Sequence, residues 1–100
     1  MFVHSVYFWL KDGLDEKEVA AFQGGVQSLC EMERVKSAHA GLPADTHRGV
    51  IDNSYSCGMV LVFGDKAGHD AYQISDVHQT FIADHSYKWE RVLVYDIETT

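Results

Sequence analysis

"FVHSVYFWLKDGLDEKEVAAF", residues 2–22, decides the fold. Its first nine residues are rich in β-branched and aromatic types, the composition of a strand. Phe2, His4, Val6, Phe8 and Leu10 fall on one face, and Val3, Ser5, Tyr7 and Trp9 on the other. Both faces are mostly apolar, so the strand is expected at the centre of a sheet, covered on both sides. The period then changes. Asp15 fits a helix N-cap, and Glu18 three positions later completes a capping box. Leu14 and Val19 fit the hydrophobic staple that sets the entry of the chain. Val19, Phe22, Val26 and Leu29 recur at the spacing of a buried helical stripe. Gly24 and Gly25 interrupt that helix. Two interior glycines cost about 2 kcal/mol relative to alanine, so packing on a sheet has to hold the helix in place.

Working outward, "VKSAHAG" at 35–41 reads as a short strand, and "LPADTHRGVIDN", with the only proline, reads as a loop. "SYSCGMVLVF" at 54–63 reads as a strong strand, with Tyr55, Cys57, Met59, Leu61 and Phe63 on one face. Asp65 caps a short helix, which Ser75-Asp76 can break before "VHQTFIADHS". "WERVLVYDI" at 89–97 is the last strand. The order β-α-β-β-α-β is the split βαβ arrangement. It predicts an α+β ferredoxin-like fold in which two helical segments cover one face of a four-stranded antiparallel sheet. The other sheet face is apolar as well. A monomer would expose more apolar surface than soluble monomers tolerate, so a homodimer joined sheet face to sheet face is expected.

The length of 100 residues predicts one domain over 1–100. A chain this small buries only about 60–65% of its unfolded surface. Yet 46% of its residues are hydrophobic and 12% aromatic, which fits a dense core or a second chain. The formal net charge of −7 argues against nucleic acid and anionic membrane surfaces as partners. Cys30 and Cys57 form no CxxC pair, and the chain opens on no secretory pattern. Free thiols in a reducing cytoplasm are the simpler expectation.

These residues, in this order, resemble the stress-responsive A/B barrel domain family, also called dimeric α/β barrel proteins. "HSVYFWLKDGLDEKEV" is similar to the family's opening, with a histidine in the first strand followed by a turn and a capped helix. "YSCGMVLVFGDKAGHDAYQISDVHQTFI" resembles its middle, and "WERVLVYDIE" its last strand. Two positions depart from the family pattern. Ser75-Asp76 stands where a His-Pro pair is common, and Cys57 where a histidine often lies. One characterised branch of the family, a plant polyketide cyclase, closes a ring by aldol chemistry with a Tyr and a His. The resemblance carries those two roles onto Tyr72 and His78. It also places His4 on the wall of a pocket between sheet and helices. Phe22 and Val26 would line that pocket from the first helix, and Val6, Phe8, Met59, Leu61, Val92 and Val94 from the sheet.

The residues themselves set a condition on the Tyr72–His78 pair. An imidazole can act as a general base near neutral pH, and a tyrosine hydroxyl can orient it or polarise a carbonyl. Six residues apart on an unbroken helix is about 600° of rotation, about 240° net, which puts the two on different faces. They converge only if the chain breaks at Ser75-Asp76. The plainer alternative is a Tyr72 ring packed in the core and a structural His78. An apolar pocket with a few polar groups is the usual small-molecule site, whereas the same side chains can also just fill a core. Gly24, Gly25 and Gly58 hint at spare volume.

Metal chemistry finds no support in the spacing. His78 and His85 lie about 10 Å apart on a helix, too far for one ion. His39 and His47 flank a loop, His69 is expected to be exposed, and no HxH or HExxH pattern occurs. No cofactor or metal is therefore expected, and neither cysteine has the setting of a nucleophile. Three function classes follow. One is a small-molecule binding domain. One is a cofactor-free cyclase, lyase or monooxygenase-like enzyme using His78 with Tyr72 or His4. One is a purely structural dimer.

Overall fold

The computed structural model describes residues 1–99. The elements are β1 (Phe2–Leu10), α1 (Glu16–Cys30), β2 (Val35–Gly41), β3 (Cys57–Phe63), α2 (Lys66–Gln73), α3 (Asp76–His85), a 3-10 turn (Ser86–Lys88) and β4 (Trp89–Glu98). The strands form one antiparallel sheet in the order β2-β3-β1-β4. This is the ferredoxin-like α+β fold, with three helices. The second helical segment is split, because Ser75 ends α2 and caps α3.

The capping signals act as the sequence predicts. Glu18 N donates to Asp15 Oδ1 at 2.8 Å, and Asp15 N donates to Glu18 Oε1 at 3.2 Å. Phe22, Val26 and Leu29 are buried against the sheet. The even-numbered residues of β1 alternate with half-buried odd ones, so His4, Val6 and Phe8 face the helices. Cys57, Met59, Leu61 and Phe63 join them from β3. The opposite face carries Tyr7, Trp9 and Tyr95, with Tyr95 59% exposed.

Three expectations need correcting. Tyr55 does not share the face of Met59. The third strand begins only at Cys57, and Tyr55 packs on Tyr7 and Trp9 of the open face. The chain is held there by Ser56, whose N–H donates to Phe8 O at 2.7 Å and whose hydroxyl accepts from Leu10 N at 2.9 Å. The glycines do not mark spare volume. A Cβ on Gly25 would lie 2.7 Å from His85 Nε2, Gly58 is covered by Tyr7 and Tyr55, and Gly24 faces open space. Finally, the helices meet β4 at its start, where Phe81 of α3 stacks on Trp89, and leave its middle half-exposed. They pack mainly on β1, β2 and β3, so Val92 and Val94 stay 42% and 45% exposed.

Candidate functional site

The break between α2 and α3 builds the site. Ser75 Oγ donates to Tyr72 O at 2.7 Å and accepts from His78 N at 3.2 Å. Gln79 Nε2 spans the same break by donating to Ile74 O at 2.9 Å. One hydroxyl thus joins the last turn of α2 to the first turn of α3. The six-residue separation that forbids contact on one helix becomes an edge contact, with the Tyr72 and His78 rings 4.9 Å apart.

His4 arrives from the sheet, its ring 5.7 Å from that of Tyr72. Strand register places Asp96 of β4 directly opposite it. Their side chains meet at 2.6 Å between Nδ1 and Oδ1. An ionised carboxylate only accepts, so His4 Nδ1 carries the proton and Nε2 the lone pair, a tautomer assigned from the hydrogen bond.

A cavity of about 210 Å³ opens between these groups and the half-exposed middle of β4. His4, Val6, Phe8, Met59, Tyr72, His78, Val92 and Val94 line it. Three expected residues do not. Phe22 and Leu61 are fully buried in the layer beneath, and Val26 borders a separate groove beside Cys57. Leu29, Gln73, Phe81, Ile82 and Trp89 complete the lining and were missed. Phe81 and Ile82 had a signal, since they stand three and four residues after His78 on one helical face.

Burial controls the ionisation of this site. It pushes the Tyr72 phenol far above its usual range, so the group stays a neutral hydroxyl donor. It lowers His78, reinforced by repulsion from His4 and His69. His4 feels two opposed influences, and burial outweighs the pull of Asp96, so its value is also lowered. The cavity therefore presents two uncharged imidazoles and a phenol among apolar side chains. Such a set can accept and donate protons at a carbonyl or hydroxyl without a fixed charge.

His69 is not exposed as expected. It stacks on Phe2 at 4.2 Å, lies 4.9 Å from the His4 ring and donates from Nδ1 to Asp70 Oδ1 at 3.1 Å. His4, His69 and Asp96 each bring one potential ligand atom within 4.8 Å of the others. They come from β1, α2 and β4, so no local spacing in the sequence could show the group.

The cysteines are free thiols, and burial raises both, Cys57 with a contribution from Cys30. Raised thiols are poor nucleophiles. No helix of the described residues is long and apolar enough to cross a membrane.

The family model described as Stress Responsive A/B Barrel Domain matches residues 2–99. Among solved structures, At3g17210 from Arabidopsis thaliana is 22% identical at a TM-score of 0.81, covering 100% of this chain and 96% of that one. A dimeric ferredoxin-like protein of unknown function from Thermobifida fusca is 16% identical at a TM-score of 0.78, covering 98% of this chain and 90% of the other. A hydroxynitrile lyase from Passiflora edulis is 18% identical at a TM-score of 0.78, covering 99% and 94%. Likeness at these identities fixes the fold. No curated protein matches the chain by sequence.

Proposed function

We propose, from the premise that the chain belongs to the stress responsive A/B barrel domain family, that it binds a small apolar or aromatic molecule between sheet and helices. One observation carries the reading: a cavity of about 210 Å³ that is apolar except for His4, Tyr72, Gln73 and His78. A cavity of about 150 Å³ already accepts benzene, so one substituted ring fits. The three ring-bearing polar groups would orient a carbonyl or hydroxyl on that ring. Thermal-shift titration with acetophenone tests this. A rise in melting temperature is expected for the wild type and is lost in His78→Ala, whose own unfolding should change little. A wild type indifferent to acetophenone and related phenols sinks the reading.

A second reading is catalytic. His78, uncharged and beside a neutral phenol, has the makings of a general base at a carbon next to a carbonyl. A lyase among the structural neighbours fits this reading. Its test is deuterium exchange into the methyl group of acetophenone. Exchange faster than in buffer, and abolished by His78→Ala and Tyr72→Phe, supports catalysis. Exchange at the buffer rate leaves binding alone.

The chain acts in this reading as a homodimer through the open sheet face, where Tyr7, Trp9, Asp52, Tyr55, Leu93 and Tyr95 surround a basin rich in aromatic rings. The dimeric neighbour supports that assembly. Light scattering at the mass of one chain would exclude it. A reducing cytoplasm suits its two free thiols.

A further inference from the structure

We propose that His4, His69 and Asp96 form a binding site for a first-row divalent metal ion, of which zinc is the best fit. Two imidazoles and one carboxylate are the donor set that such ions take, and three protein ligands leave a position open. The ligand atoms lie within 4.8 Å of one another. Bound to one tetrahedral ion they would be about 3.3 Å apart, so small ring and carboxylate rotations close the site.

His69 already has the support that a metal ligand needs. His69 donates from Nδ1 to Asp70, and Lys66 Nζ holds that carboxylate at 2.7 Å. This leaves the lone pair on His69 Nε2. In the metal-free chain the Gln73 amide, 3.2 Å away, donates to it, and that flexible side chain would turn aside for an ion. His4 is fixed in the sheet and buried, with Asp96 directly opposite it. The ion would replace the proton that His4 Nδ1 shares with Asp96 across the β1–β4 pair. Asp96 is half-exposed, so an ion can enter from solvent along β4. The surface pair His47 and Asp45 also meets, yet no third ligand joins it among the described residues. That pair serves as an internal control.

The site stands whether or not the neighbouring cavity binds an organic molecule. His4 belongs to both.

The test is calorimetric titration of the metal-free protein with Zn²⁺, paired with the visible ligand-field spectrum of Co²⁺. One ion per chain is expected, with affinity about tenfold or more weaker in His69→Gln and in Asp96→Asn. His47→Ala should bind as the wild type does. Zn²⁺ should also raise the melting temperature of the wild type and not that of Asp96→Asn, whose altered side chain is half-exposed and compatible with folding. Undetectable binding by the wild type overturns the proposal. So does binding that survives both substitutions, or that is lost in His47→Ala.

Discussion

The two ends of α3 each carry a histidine, His78 in the first turn and His85 in the last, and they have opposite fates. They are seven residues apart, close to two turns, on nearly the same face of the helix. Burial lowers the pKa of both. At the far end α1 closes over His85. Its Nδ1 accepts from Lys88 Nζ at 3.0 Å, its ring meets Phe22 and Phe81, and Gly25 removes the Cβ that would strike Nε2. Lys88 is itself buried and also donates to Glu18 O at 2.8 Å. At the near end the Tyr72 ring of α2 meets His78 edge-on, and a cavity remains between them and β4. The same residue type, on one helix and with one direction of pKa shift, is mostly buried where α1 packs on its ring and lines the apolar cavity where α2 meets β4.

The largest test of this contrast exchanges each ring for a methyl group. His85→Ala should cost about 2–4 kcal/mol, from the void left and the acceptor lost to Lys88. His78→Ala should cost under about 1 kcal/mol, since its ring borders space already empty. Urea unfolding of both variants measures the difference, and equal losses would break the contrast. Next come the glycines. Gly25→Ala should destabilise by about 1–3 kcal/mol through its clash with His85, whereas Gly24→Ala, with open space beyond it, should stabilise by up to about 1 kcal/mol. A gain at Gly25 would show that His85 is free to move. Ser75→Ala should then cost about 1 kcal/mol through the lost cap. Because that hydroxyl joins Tyr72 to His78, the variant should also weaken acetophenone binding by more than its stability loss explains.

The smallest effect is one of pH. His4, His78 and His85 all sit below their usual 6.5 in the folded chain. The unfolded chain therefore takes up protons first as pH falls. Stability should be full above about 6.5 and decline as pH drops through the folded-state values beneath it. Urea midpoints across that range give the slope, which should be shallower in His78→Ala. A midpoint that rises on acidification to just below neutrality would overturn the assignment of neutral imidazoles.

The parts of the fold that could be read from the residues are those set locally. Asp15 and Glu18 cap α1 through neighbours three positions away, and the composition of residues 2–10 marks a central strand, though with both faces apolar it does not name the one the helices cover. Even the break at Ser75 has a local cause, a hydroxyl able to serve both helix ends. The site was only half readable. Tyr72 and His78 stand out by chemistry, but Asp96 meets His4 through a strand register spanning 92 residues, and no pattern near either residue encodes it. Tyr55 changed faces because alternation fails where the ladder stops at Cys57. Gly25 reads as a weak point of a helix, and only the approach of His85 makes it a requirement.

The strand order places β4 last, so the strand that opens the cavity is also a ten-residue sheet edge. Unpaired edges of that length invite a neighbouring chain to add a strand, which is a route to aggregation. Glu90, Arg91, Asp96 and Glu98 place charges along this one, at intervals between its valines and Ile97. Asp96 therefore has two duties, holding the His4 imidazole on one side and repelling a stray strand on the other. A chain that neutralises Asp96, by substitution or by acid, should lose solubility as well as the orientation of His4.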